Sequence, residues 1–92
     1  MQLEQSAPHG TLFQDHRSDV ILRSLDHLFC IAQHYRSEGN LRQAMEIYWM
    51  LSEDHTETAQ GQVAQEKLLE IADVYERVGS RHQARAVYER LL

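Results

Sequence analysis

Apolar residues recur along this chain at helical intervals, in two stretches set forty residues apart. Leu28, Ile31, Ala32 and Tyr35 step by three, one and three, which places them on one face of a helix. Gly39 interrupts the pattern. Beyond it Ala44, Tyr48 and Leu51 step by four and three, predicting a second helix with its own apolar stripe. Sliding the sequence by 40 aligns Leu28–Ser52 with Leu68–Leu92, and nine of these 25 pairs are identical. They are Leu28/Leu68, Ile31/Ile71, Ala32/Ala72, Tyr35/Tyr75, Gly39/Gly79, Gln43/Gln83, Ala44/Ala84, Tyr48/Tyr88 and Leu51/Leu91. Ordinary residue frequencies would give about one or two. Each glycine stands where a helix C-cap takes a left-handed residue, so each copy is predicted to fold as an antiparallel helix hairpin with a tight turn. The small Ala32 and Ala44 let two helix backbones approach, and the tyrosines fill the space beside them.

This pattern resembles the tetratricopeptide repeat family. A large apolar residue, a Leu-type residue, a small residue, Tyr, Gly, Ala, an aromatic and a final apolar residue are filled in order by Leu28, Ile31, Ala32, Tyr35, Gly39, Ala44, Tyr48 and Leu51. Leu68, Ile71, Ala72, Tyr75, Gly79, Ala84, Tyr88 and Leu91 fill them again. Three features depart from the family. Its usual first-helix Trp is Leu in both copies, its Pro after the second helix is absent, and the period is 40 where the family has 34. The extra residues fall in the polar segment SEDHTETAQGQ, which predicts a longer connection and an early start to the next helix. The resemblance implies an all-α fold in which antiparallel helix hairpins stack as a short right-handed solenoid.

The expected organisation is a polar tail over residues 1–16, a first repeat over 17–55 and a second over 56–92. Pro8 and Gly10 act as breakers in the tail, with Leu3, Leu12 and Phe13 as anchors. Asp15 or Ser18 caps a long first helix reaching about Glu38, whose stripe is extended by Val20, Ile21 and Leu25. The second helix is expected from Leu41 to Glu53, the third from Thr56 or Gln62 to Val78, and the fourth from Arg81 onward.

Composition narrows the function. The chain has 92 residues, room for one small domain, with 42% apolar and 25% charged residues, one proline and four glycines. Fourteen acidic against nine basic residues give a net charge of -5, which opposes attraction to nucleic-acid phosphates or anionic lipid. No basic patch overrides it, since the densest basic group, Arg77, Arg81, Arg85 and Arg90, is interleaved with Glu76 and Glu89. No membrane-spanning run, leader or lipidation signal is legible, and the single cysteine, Cys30, excludes an intrachain disulfide, so a cytoplasmic setting is expected.

His27, Cys30 and His34 share a helix face, but the two histidines lie about 10.5 Å apart along the axis and zinc bonds are about 2.0–2.3 Å. One ion cannot bridge both, so neither metal nor cofactor is expected. The pairs His34/Glu38 and Asp54/His55 have the spacing of ordinary helix and loop pairs, and no phosphate-binding glycine loop or nucleophile elbow is present, so catalysis is not expected.

The resemblance instead implies a concave surface lined by the first helix of each repeat. Asp26, Phe29, Cys30, Gln33, Arg36 and Ser37 would line it in the first copy, and Glu66, Leu69, Glu70, Asp73, Glu76 and Arg77 in the second. It would be largely acidic, with Phe29 and Leu69 exposed. Family members that bind chaperone C-terminal carboxylates carry Lys, Arg and Asn there. Phe29, Leu69 and Asp73 stand at those places, so a basic or amphipathic protein segment is the better-suited partner.

Trp49, beside Met45 and Met50, is a candidate anchor or a cover for the long connection. Two repeats are fewer than the three usually needed for stability, and no polar capping helix follows Val87, Leu91 and Leu92. A twofold homodimer through an edge formed by these residues or Trp49 is therefore expected. The alternative is a small escort protein that shields a partner's helix at that edge.

Overall fold

The computed structural model describes the backbone of residues 2–92 and the side chains of residues 19–92. Four helices make up the chain: α1 (Gln2–Ser37), α2 (Leu41–Asp54), α3 (Ala59–Arg77) and α4 (Arg81–Leu91). No strand occurs among the described residues.

The two hairpins close identically. In the first, Gly39 takes φ +84°, its N–H reaches the Arg36 carbonyl at 3.0 Å, and the Asn40 N–H reaches the Tyr35 carbonyl at 2.9 Å. In the second, Gly79 takes φ +85°, with the matching bonds to Glu76 at 3.1 Å and from Ser80 to Tyr75 at 2.8 Å. This double bond around a left-handed glycine is a Schellman motif, which ends the helix and satisfies its last carbonyls. The forty-residue repeat thus extends to individual backbone hydrogen bonds.

The hairpins join through His55–Thr58, a four-residue connection. Thr58 caps α3: its Oγ1 accepts from the Gly61 N–H at 3.0 Å and donates to the His55 carbonyl at 2.7 Å. The start of α3 crosses close to the end of α2 at Gly61, where a Cβ would stand 2.1 Å from the His55 carbonyl oxygen.

Each helix packs on its neighbour in sequence, and α1 also touches α3. Contacts between α1 and α3 join residues 34 apart at both ends, Asp26 to Gln60 and Arg36 to Glu70, so these two helices run parallel. The core lies between them and α2 and α4. Ala32, Ala44, Ala64, Ala72 and Ala84 are buried where helices meet, and Tyr48, Leu51, Leu68 and Ile71 fill the remaining space. Fully burying a large apolar side chain contributes about 1.5–3 kcal/mol.

The helix α1 begins at Gln2, well before the expected caps at Asp15 and Ser18, so the segment expected as a tail through residue 16 is helical from Gln2. Extending a nucleated helix is far less costly than starting one, which favours a single long α1. The expected anchors Leu3, Leu12 and Phe13 lie outside the residues whose side chains are described. No helix among the described residues is long and apolar enough to cross a membrane.

Candidate functional site

Helices α1 and α3 run parallel, and the twelve residues that the family resemblance places in a groove are divided between them. Asp26, Phe29, Cys30, Gln33, Arg36 and Ser37 lie on α1, and Glu66, Leu69, Glu70, Asp73, Glu76 and Arg77 on α3. Several of these are already engaged. Arg36 donates to Glu70 at 2.8 Å across the two helices, and Lys67 stands 3.6 Å from the same carboxylate. The Arg36 hydrogen bond, helped by Lys67, holds the Glu70 carboxyl below its ordinary pKa despite some desolvation. Gln60 donates to Asp26 at 2.7 Å, and Arg77 pairs with Asp73 one turn away on α3. Glu76 accepts from the Tyr88 hydroxyl at 2.8 Å, which raises the tyrosine's pKa.

Phe29 departs from expectation. It is half-buried, with its ring edge-to-face on Tyr48 at a centroid separation of 5.8 Å. The Tyr48 hydroxyl in turn donates to Gln33, and burial pushes the Tyr48 pKa up. Phe29 therefore forms part of the wall between α1 and α2, because its position turns it toward α2 as much as toward the open surface. A shallow depression of about 190 Å³ beside it is lined by Asp26, Phe29, Ala59, Gln60 and Val63. Leu69 remains open, 47% exposed, among Glu66, Glu70 and Asp73.

A second concavity was not anticipated. Between α2 and α4 lies a groove of about 530 Å³ with Met45, Trp49, Tyr75, Ala86 and Val87 among its walls and Arg42, Glu46, Gln83 and Arg90 on its rim. One sequence signal pointed to it: the small Ala86 stands where the first copy has Glu46, which opens space between the outer helices. Arg90 lies across one end, its guanidinium 4.3 Å from the Trp49 ring centroid. The same group grips Glu53 through two bonds of 2.8 Å, Nε to Oε2 and Nη2 to Oε1. That hydrogen bonding lowers the Glu53 pKa and raises that of Arg90.

Of the residues expected at an edge, Trp49 is 7% exposed and Val87 2%, so within one chain both are largely covered. Arg90 closes over the Trp49 indole, and Val87 lies in the wall of the groove between α2 and α4. Leu91 is half-buried and Leu92 is exposed. His27, Cys30 and His34 all face solvent, and His34 Nε2 stands 3.2 Å from Glu38. Among the described residues no group of three or more His, Cys, Asp or Glu side chains is placed to hold a metal ion.

Compared with models of protein families, with curated proteins and with solved structures, the chain finds no match.

Proposed function

We propose that this chain is a short tetratricopeptide-like repeat protein, with its hairpins stacked as the start of a right-handed solenoid, that works without catalysis as an adaptor or scaffold. Its partner is a basic or amphipathic protein segment laid along the α1/α3 surface, and the reading includes self-association as a homodimer. The observation that carries it is the parallel α1/α3 pair, which sets exposed Leu69 among the carboxylates of Glu66, Asp73 and Glu76. An apolar side chain of the partner would cover Leu69 while its lysines or arginines met the carboxylates, a combination that gives both affinity and register. Acidic surroundings repel nucleic acid and anionic membranes. The exposed free thiol of Cys30 suits a reducing, cytoplasmic setting.

Titrating a fluorescein-labelled amphipathic helix of Lys and Leu tests this reading by anisotropy. Reversing Glu66, Asp73 and Glu76 to Lys together is expected to weaken binding at least tenfold, about 1.4 kcal/mol. Equal affinity in the reversed variant would overturn the assignment of this surface.

A further inference from the structure

The forty-residue offset lets each position of the first hairpin be compared with its equivalent in the second. Ile71 is fully buried and Val87 is 2% exposed, whereas their equivalents Ile31 and Ile47 are only half-buried. The difference is one of neighbours, because the first hairpin flanks the second and nothing among the described residues flanks the first. Val20, Ile21 and Met50 add exposed apolar surface on α1 and α2. The opposite edge, on α3 and α4, is chemically different. Leu41 and Met45, which are half-buried at the junction of the hairpins, become the exposed Arg81 and Arg85 there. That edge carries two cations where the hairpin junction has apolar side chains, while the α1/α2 edge keeps its apolar positions.

Two copies could in principle stack head to tail, as the hairpins stack within the chain. Ile21 would then occupy the place of Gly61, where even a Cβ would lie 2.8 Å from the Leu51 carbonyl oxygen, the equivalent of Leu91. Such a copy would also face Arg81 and Arg85. Head-to-tail stacking in the register used within the chain is therefore obstructed, which favours a twofold contact, edge to like edge.

The α1 sequence is suited to that contact. Val20, Ser24, His27 and Ile31 step by four, three and four, the spacing of a helix–helix seam. The spacing is symmetric about its midpoint. An antiparallel second copy therefore sets Val20 against Ile31 of that copy and Ser24 against His27. Ser24 is small enough for close approach, and its hydroxyl already donates to the Val20 carbonyl at 2.9 Å, so burying it strands no donor. None of the four residues is Lys, Arg, Asp or Glu, on a chain whose net charge is -5. Two acidic copies would thus meet along positions that hold no carboxylate.

We propose that the occupant of the α1/α2 edge is a second copy of this chain, paired antiparallel along α1 through Val20, Ser24, His27 and Ile31, with Ile47 and Met50 widening the contact. The inference rests on the self-association in the functional reading and assigns it an edge. It is tested by sedimentation equilibrium over roughly a hundredfold range of concentration. The whole chain is expected at twice its mass of 10.8 kDa. Val20→Glu with Ser24→Glu, both at exposed positions, should halve that mass while far-UV circular dichroism shows helicity unchanged. Arg81→Glu with Arg85→Glu, on the opposite edge, should leave the dimer intact. A dimer that survives the first pair, or is lost with the second, overturns the assigned edge and leaves self-association standing. A single-chain mass at every concentration overturns both. Masses that climb beyond two chains would show head-to-tail growth and overturn the twofold contact.

Discussion

Gly61 occupies an ordinary helical position, yet a methyl group there would meet backbone on two sides, the His55 and Leu51 carbonyl oxygens at 2.1 and 2.8 Å. Alanine inside a helix usually stabilises it by about 1 kcal/mol relative to glycine. At Gly61 the sign reverses, because neither carbonyl can move without parting α2 from α3. Gly61→Ala is expected to destabilise by about 1–3 kcal/mol, lowering Tm by about 4–8 °C per kcal/mol, as thermal denaturation will show. A rise in Tm would contradict the close crossing. The two repeated tyrosines offer a second test. Tyr48 is fully buried and donates to Gln33, so Tyr48→Phe should lose about 1 kcal/mol in chemical denaturation. Tyr88, its equivalent, bonds Glu76 at the surface, and Tyr88→Phe should cost less. The sequence marks both tyrosines alike. Their different surroundings depend on which helix lies beside each, and a repeat pattern does not carry that information.

Helix α4 is tied to α2 by Arg90, which grips Glu53 and lies over Trp49. Since the hydrogen bond to Arg90 holds Glu53 below its ordinary pKa, the pair stabilises the fold above the unfolded carboxylate value of about 4.3. That contribution is lost as pH falls through the lower, folded value. Arg90→Gln is therefore expected to destabilise the protein by about 1 kcal/mol at neutral pH, part from the exposed pair and part from stacking. The gap between variant and wild type should narrow in acid, where only stacking separates them. Urea titrations at neutral and acid pH check this, and a gap that stays constant or widens in acid would contradict the ionic part. At this scale the helix ends were readable beforehand. Gly39 and Gly79 act within a few residues of themselves, and the observed starts at Leu41 and Arg81 fall where they place them. The early start of α1 was not readable, because Pro8 and Gly10 argue locally for a break. Nor were the pairs Arg36–Glu70 and Glu53–Arg90, which join residues 34 and 37 apart through side chains on separate helices.

The molecule measures 68 × 27 × 13 Å with a radius of gyration of 18.1 Å. A compact chain of this length would have about 12 Å. Its length comes from α1, whose 36 residues span about 54 Å. So extended a shape encloses a thin core and presents wide helical faces, each of different chemistry. The α1/α3 face is acidic around Leu69, the α2/α4 groove is lined in part by aromatic and aliphatic side chains, and the α1/α2 edge is apolar at Val20 and Ile31 and carries no Lys, Arg, Asp or Glu along Val20, Ser24, His27 and Ile31. The acidic face was expected only through the family resemblance, which assigns the first helix of each repeat to one surface. The α2/α4 groove left only the small Ala86 as a sign in the sequence, because its walls come from both hairpins and the space between them is a property of their packing. The central claim is that the acidic face captures a protein segment. Its most direct test is a titration of the ¹⁵N-labelled chain with the Lys and Leu helix, followed by two-dimensional NMR. Shifts are expected to gather on α1 and α3 around Asp26, Leu69 and Asp73. Shifts centred instead on Met45, Trp49 and Ala86, or none at all, would contradict it.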